Sequence, residues 1–261
     1  MNSIPPAGTI TLAGKTVSRL GFGTMRLTGP GTWGEPSDRD QALDVLRQAV
    51  HTHGITHIDT AVAYGPHTVE TLIKDALHPY PDDVLIATKV GMVARPLPDK
   101  WVPCGHPAYL RACVEGSLAR LGVERLDLCY LHRIDPDVPL TDQMGTLKSL
   151  QSEGKIGHIG LSKIHSADVR RAAKEAPIAA VQNALNIHDR YDPVHELCRD
   201  EGIPYVAYRP LDAGCAVHSG NLAAALSWLL QLGPHIAPIP GTSNPQHLTD
   251  IVRAATDGAR P

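Results

Sequence analysis

From Leu20 to Ala255 the chain alternates short apolar runs with amphipathic stretches. The apolar runs are rich in valine, isoleucine and leucine and are bounded by polar residues, which predicts buried strands. The stretches between them repeat apolar residues at helical spacing, and three begin with a first-turn proline, as helices often do. We predict strands at Leu20–Gly23, His57–Ala61, Val84–Val90, Leu126–His132, His158–Ser162, Ala179–Asn183, Pro204–Tyr208 and Ala237–Pro240. We predict helices at Asp38–His53, Thr68–Ala76, Pro107–Leu121, Thr141–Ser152, Ser166–Lys174, Pro193–Asp200, Leu222–Leu232 and Pro245–Ala255.

Eight strands and eight helices in strict alternation predict an α/β protein, a single (β/α)8 TIM barrel domain over residues 1–261. An open doubly wound sheet is the alternative. It is disfavoured because no GxGxxG motif follows the first strand, where Gly21-Phe22-Gly23-Thr24 leads into a loop. Ahead of that strand, Thr9–Leu12 and Thr16–Val17 predict an N-terminal β-hairpin that can plug the bottom of the barrel.

Two predicted loops are long for a compact chain. Met25–Ser37 follows the first strand and contains Trp33, and Gly91–His106 follows the third strand and contains Trp101. Both leave the carboxyl ends of barrel strands, and long loops at such ends usually serve function. We expect Trp33 and Trp101 to wall a substrate pocket; the alternative is that both loops are ordinary surface connections.

Composition narrows the classes of partner. The formal charge is −3 and the pI is near 6.5, so we do not expect electrostatic attraction to nucleic acid or to an anionic membrane. No apolar stretch reaches membrane-spanning length, and the first residues lack a signal-peptide pattern. Five widely spaced cysteines without a CxxC motif indicate reduced thiols. We expect a cytoplasmic protein, monomeric or homo-oligomeric, that binds a small molecule and no metal.

Polar groups at the ends of predicted strands supply candidate chemistry. Asp59, Lys89 and His132 end three strands, and Tyr64 follows Asp59 by five positions. A carboxylate can keep a semi-buried lysine charged, and the ammonium then lowers the pKa of a neighbouring phenol from about 10. His132 can orient a carbonyl oxygen that Tyr64 protonates while hydride reaches the carbon. The set predicts carbonyl reduction; a Schiff-base barrel that uses Lys89 is the alternative.

These motifs resemble the catalytic signatures of the aldo-keto reductases, and the resemblance extends from Arg19 to Leu248. It implies a barrel that binds NADPH without a Rossmann motif, with Tyr64 as acid and the other three residues in the roles above. The matching segments are Ile58-Asp59-Thr60-Ala61, Tyr64-Gly65, Thr88-Lys89 and Leu131-His132. Further similarity around Leu20–Gly23, Gly29-Pro30-Gly31 and Tyr64–His67 is to the pyridoxal reductase branch, which implies pyridoxal as a candidate substrate.

The resemblance also implies cofactor contacts, position by position. Ser162 and Gln182 would hold the nicotinamide carboxamide, Tyr208 would stack on its ring, and Leu211 and Gly214 would approach the pyrophosphate. Gly241, Thr242, Ser243 and His247 would surround the adenosine phosphate. There a helix N-terminus also suits an anion on physical grounds; a plain helix-capping turn is the alternative.

The chain departs from the family pattern at several of these positions. Lys163 replaces an asparagine, and His247 replaces an arginine that reads the 2′-phosphate, which weakens the preference for NADPH and leaves NADH open. The segment Asp212–Leu222 and the C-terminal region are short, which predicts an open pocket or one completed by another subunit. A catalytically weak cofactor-binding or sensing protein is therefore a second functional hypothesis. Arg133 either pairs with Asp135 or contacts a charged substrate.

Overall fold

Eight parallel strands form the central sheet of the computed structural model, which describes residues 7–94, 101–215 and 220–258. They are hydrogen-bonded in the order β12-β11-β10-β9-β8-β5-β4-β3. Their bounds are β3 Phe22–Gly23, β4 His57–Asp59, β5 Leu85–Val90, β8 Leu126–Leu131, β9 Ile156–Ser162, β10 Ile178–Ala184, β11 Tyr205–Tyr208 and β12 Ile236–Pro238. Four further strands form two small antiparallel pairs: β1 Thr9–Leu12, β2 Lys15–Ser18, β6 Met92–Val93 and β7 Val102–Pro103.

The two edges of this sheet meet and close it into a barrel. The backbone N–H groups of Gly21 and Gly23 donate to the carbonyl oxygens of Pro238 and Pro240, each at 2.9 Å. Glycine permits the close approach here, because a Cβ atom on Gly241 would collide with the Gly23 carbonyl oxygen. The predicted (β/α)8 barrel is thereby confirmed.

Eight α-helices lie along the described chain, most of them following a barrel strand. They are α1 Arg39–Arg47, α2 Thr68–Leu77, α3 Pro107–Leu121, α4 Leu140–Ser152, α5 Ser166–Ala172, α6 Val194–Glu201, α7 Leu222–Gln231 and α8 Pro245–Gly258. The first is shorter than predicted at both ends. Asp38 is its N-cap and accepts a 2.9 Å hydrogen bond from the Gln41 N–H. Its continuation, Gln48–Thr52, is wound as a π-helix.

The N-terminal hairpin closes the bottom of the barrel. Strands β1 and β2 pair antiparallel, and the buried side chains of Leu12 and Val17 pack against residues of the barrel interior such as Leu128. Lys15 fastens the turn by an ion pair of 2.8 Å to Asp127, just inside the amino end of β8. The hairpin thus covers the amino ends of the barrel strands and leaves the interior open at the opposite end, where the larger cavity lies.

The barrel interior contains polar groups as well as apolar ones. The ring of Tyr130 packs against Gly160, where a Cβ atom would clash with it. Neither the Tyr130 hydroxyl nor the two ring nitrogens of His57 have a hydrogen-bond partner among the described residues. Burial lowers the pKa of His57 to about 4, so its imidazole is neutral at pH 7.

The two long loops are partly ordered by short elements. Met25–Ser37 contains most of one 3-10 turn and the whole of another, at Thr24–Leu27 and Pro30–Thr32. The second loop carries the β6–β7 hairpin, which the sequence did not predict; residues 95–100 of that loop lie outside the described residues. Among the described helices, none is long and apolar enough to cross a membrane.

Candidate active site

Four predicted side chains meet at the open end of the barrel. The Lys89 Nζ atom lies 2.5 Å from Asp59 Oδ1, 2.9 Å from the Thr60 carbonyl oxygen and 3.4 Å from the Tyr64 hydroxyl. The His132 ring stands edge-on to the Tyr64 ring, with 6.3 Å between the ring centroids. All four are buried, and the ion pair is only 1–2% exposed. The predicted convergence at one opening is therefore present.

Backbone pairing fixes where these side chains point. Beyond β4, the N–H groups of Thr60 and Val62 donate to the carbonyl oxygens of Ala87 and Lys89 at 2.8 and 3.1 Å, so the chain stays against β5 up to the turn that carries Tyr64. Gly65 then adopts a φ of 100°, which only glycine takes up readily. Its N–H and carbonyl groups bond to the first long loop, which anchors the Tyr64 turn from outside.

The electrostatic balance keeps the lysine charged and the tyrosine protonated. Burial alone would lower the pKa of Lys89, but Asp59 and Tyr64 more than offset it, and the pKa is raised. Burial raises the pKa of Tyr64 above its usual value, and the Lys89 ammonium only partly opposes that. The sequence-based expectation of a lowered Tyr64 pKa is therefore wrong in direction, because the desolvation of the phenol outweighs the nearby charge.

His132 is poised as a neutral hydrogen-bonding group. Burial, followed by the positive charges of Lys89 and Arg133, holds the pKa of its imidazole well below its usual range. Its Nδ1 atom is buried, and no hydrogen bond within the described residues engages the ring. The indole of Trp101 packs edge-on against it at 5.6 Å between centroids. A neutral imidazole held in this way can donate one N–H to a carbonyl oxygen.

A cavity of about 910 Å³ opens above these residues. The Gln182 amide links the cavity wall to the catalytic group, because its Nε2 atom donates to Asp59 Oδ2 at 2.7 Å. All nine positions predicted to contact a cofactor line this cavity: Ser162, Gln182, Tyr208, Leu211, Gly214, Gly241, Thr242, Ser243 and His247. The cavity wall also contains residues that the sequence gave no reason to select, among them Arg26, Arg209 and Pro210.

The N-terminus of α8 is already capped by a side chain. Asn244 Oδ1 accepts from the N–H groups of Gln246 and His247 at 2.8 and 3.2 Å, and the Thr242 hydroxyl accepts from the Asn244 N–H at 3.0 Å. These donors were expected to face an anion. An anion here would therefore depend on the side chains of Ser243 and His247, or displace the Asn244 cap.

The two tryptophans differ in position. Trp101 lines the cavity and packs against Tyr64 with 5.8 Å between ring centroids, as predicted. Trp33 is not among the lining residues, contrary to its predicted role as a pocket wall. Its backbone bridges to Gly65 while its side chain is 37% exposed. The first loop therefore lines the cavity with Met25 and Arg26, whereas its Trp33 segment supports the backbone of the Tyr64 turn.

Arg133 and Asp135 do not pair. The Asp135 carboxylate instead accepts from the backbone N–H groups of Gly105 and Asp137, at 2.7 and 2.9 Å. Arg133 lines the cavity together with Lys163. The simple pairing weighed from the sequence is therefore wrong, and Arg133 faces the ligand space.

Comparisons with known proteins agree with this geometry. A sequence model of the Aldo/keto reductase family matches residues 19–223. An uncharacterized oxidoreductase of Schizosaccharomyces pombe is 41% identical, covering 95% of this chain and 85% of that protein. The pyridoxine 4-dehydrogenase of Escherichia coli is 38% identical, covering 95% and 93%. The glycerol dehydrogenase of Gluconobacter oxydans superposes with a TM-score of 0.81 at 25% identity, covering 97% and 95%. The chain belongs to the aldo/keto reductase family and is an oxidoreductase.

Proposed function

We propose that this protein reduces an aldehyde or ketone to the alcohol with NADPH, with Tyr64 as the general acid and pyridoxal as a candidate substrate. The observation that carries the proposal is the Tyr64 hydroxyl, 3.4 Å from an ammonium that Asp59 holds, at the base of a large cavity. The similarity to pyridoxine 4-dehydrogenase supports the choice of pyridoxal for the first assays.

The residues present fit a nicotinamide dinucleotide. The cavity runs from the catalytic group to the β12–α8 junction, and Gly241 lies where the backbone has no room for a side chain. Ser162 lines the cavity without a side-chain hydrogen bond in the described chain, so its hydroxyl is free for a carboxamide. Tyr208 offers a half-buried ring face at the end of β11. NADPH would supply the hydride to the carbonyl carbon.

Residues of this chain would supply the proton that the carbonyl oxygen receives during reduction. His132 donates a hydrogen bond that orients the carbonyl oxygen and stabilises the charge that develops there. Tyr64 transfers its proton to that oxygen, so that the carbonyl becomes an alcohol and a phenolate remains. Lys89 stabilises this phenolate at 3.4 Å, and solvent reprotonates it after the product leaves.

The geometry disfavours the Schiff-base alternative. A lysine that attacks a carbonyl must be neutral, which usually requires a lowered pKa. Here Asp59 and Tyr64 leave the pKa of Lys89 raised, and three acceptors surround its Nζ atom. The role of Lys89 in our proposal is therefore to stabilise the Tyr64 phenolate as a fixed positive charge.

The test is turnover in a Tyr64→Phe variant. We expect NADPH oxidation with pyridoxal, or with a reactive aromatic aldehyde, to fall by about 100-fold or more, the range for loss of a general acid. NADPH affinity, followed by fluorescence titration, should be nearly unchanged. Wild-type protein that binds NADPH tightly but turns over no carbonyl would instead identify the cofactor-sensing alternative. Parallel titration with NADH gives the relative affinity for the two cofactors, which tests the weakened NADPH preference expected from His247.

A further inference from the structure

Two cations enter the cavity beside the catalytic histidine. Arg133 follows His132 directly, and Lys163 follows Ser162 at the end of the neighbouring strand β9. Strands β8 and β9 pair in parallel, so both side chains leave the same edge of the barrel, and both line the cavity. No catalytic motif in the sequence requires a cation at either position, and the catalytic steps proposed above use neither Arg133 nor Lys163.

Both cations lack an anionic partner. Within residues 7–94, 101–215 and 220–258, no ion pair or side-chain hydrogen bond engages the Arg133 guanidinium or the Lys163 ammonium, and Asp135 is occupied by backbone donors. The other lysine and arginine side chains in the cavity wall have partners: Lys89 pairs with Asp59, Arg209 lies 3.6 Å from a carboxylate oxygen of Asp212, and Arg26 donates to the Ala213 carbonyl oxygen. Arg133 and Lys163 are thus the lysine and arginine of the described cavity wall that have neither an ion pair nor a side-chain hydrogen bond.

The backbone at Lys163 adds an independent observation. Its φ is 50°, in the left-handed region that asparagine adopts more readily than lysine. Burial and the charge of Arg133 both lower the pKa of Lys163, so the pair repels until an anion lies between them. Backbone strain is often found at functional sites, so the strained backbone and unpaired charge of Lys163 both favour a binding role for this side chain.

The cofactor phosphates do not account for these charges. The predicted adenosine-phosphate contacts lie at and beyond β12, which is three strands from β9 in the sheet order. The predicted pyrophosphate contacts, Leu211 and Gly214, follow β11, which is two strands from β9, with neighbouring strands about 4.8 Å apart. His132, which orients the carbonyl oxygen, is instead the immediate neighbour of Arg133. An anion between the two cations would therefore belong to the molecule that carries the carbonyl group.

We propose that Arg133 and Lys163 bind a carboxylate or phosphate group of the substrate, so that the enzyme prefers anionic aldehydes and ketones. This inference rests on the proposed carbonyl reduction and specifies its substrate class. Arginine presents a planar fork of donors that matches either oxyanion, and lysine adds a point charge.

Matched substrate pairs test the proposal. One pair is 4-carboxybenzaldehyde and its neutral methyl ester, for the carboxylate; the other is pyridoxal 5′-phosphate and pyridoxal, for the phosphate. The readout is the ratio of kcat/KM for the charged over the uncharged member. We expect a ratio well above one in at least one pair, and the pair that shows it identifies the anion. Added salt should reduce the ratio.

The variants are Arg133→Gln and Lys163→Gln, with Lys148→Gln as the matched control. Lys148 carries the same charge on the outer helix α4, is exposed and outside the residues that line the cavity, and its side chain makes no hydrogen bond or ion pair among the described residues. Each cavity variant should lower the ratio by about fivefold or more, the loss of roughly one charge-assisted contact at a partly exposed site. The control should leave it unchanged.

The outcomes separate this inference from the function on which it rests. If both pairs give ratios near one in the wild type, or if the variants do not change the ratio, the substrate site is refuted while carbonyl reduction stands. A loss of NADPH affinity in both variants with an unchanged ratio would assign the cations to the cofactor and also refute it. If no carbonyl compound is reduced although NADPH binds, both proposals fail.

Discussion

Replacing Asp59 by asparagine tests the electrostatic core of the site. The Asp59–Lys89 pair is 2.5 Å long and 1–2% exposed, so solvent does little to screen it. Asp59→Asn leaves the Lys89 ammonium buried without a counter-charge, and the new side chain cannot accept from both Lys89 and Gln182 as the carboxylate does. Removal of one partner from a buried ion pair costs about 3–5 kcal/mol.

For a chain of this length such a loss corresponds to a fall in Tm of about 6–20 °C. The assay is urea unfolding at pH 7, with Asp127→Asn as the matched control. Asp127 pairs with Lys15 at the plugged end of the barrel, where both side chains are partly exposed, and its loss should cost about 1 kcal/mol or less. The double variant Asp59→Asn/Lys89→Met should recover much of the lost stability, because no unpaired charge remains.

The pH dependence of the same variant has a defined sign. In the wild type the pKa of Lys89 is raised, so its contribution to stability is complete at neutral pH and is lost as the pH rises through that value. In Asp59→Asn, burial should lower the pKa of Lys89 below about 10.4, so the unfolded chain binds the proton more tightly and stability should rise with pH above neutrality. A loss no larger than that of Asp127→Asn, with no recovery in the double variant, would refute the reasoning.

Three further predictions concern burial and packing. Burial lowers the pKa of His57 to about 4, so wild-type stability should fall as the pH drops from 6.5 to 4, by up to about 3 kcal/mol more than in His57→Leu, measured by urea unfolding at each pH. Trp101→Ala should raise KM for aromatic aldehydes several-fold, whereas Trp33→Ala, outside the cavity, should leave it unchanged. Gly160→Ala should lose about 1–3 kcal/mol in thermal unfolding, because its Cβ atom meets the Tyr130 ring; an unchanged Tm would contradict this packing.

The barrel and the catalytic set could be predicted because both depend on local pattern. Alternating strand and helix periods set the topology, and the ends of parallel strands must share one opening, so Asp59, Lys89 and His132 were bound to converge. The N-terminal hairpin was equally readable from its two short strands. By contrast, the β6–β7 pair has only two residues in each strand, too few for a detectable period.

The errors have a common physical origin in competition between partners. Asp135 was a plausible partner for Arg133 by sequence proximity, but backbone N–H groups of a neighbouring loop and turn occupy it. Asn244 caps α8 by accepting hydrogen bonds from the two backbone N–H groups that were expected to face an anion. Trp33 supports Tyr64 through its backbone while its ring stays outside the cavity. Which of several available partners a group chooses is decided by tertiary packing, and a single sequence does not record it.

The direction of the Tyr64 pKa shift bears on how the site would carry out the reduction that we propose. A reductase needs its acid protonated before hydride transfer and needs the resulting phenolate to be tolerable afterwards. Burial meets the first need, because it raises the pKa of the phenol and so outweighs the Lys89 charge, which favours the phenolate. Lys89 meets the second, since its fixed charge gains strength from the phenolate that develops 3.4 Å away. Asp59 makes both compatible, because it raises the pKa of the ammonium in a place where burial alone would lower it. Raising the tyrosine pKa and placing a cation beside the same hydroxyl therefore act at successive stages of one proton transfer.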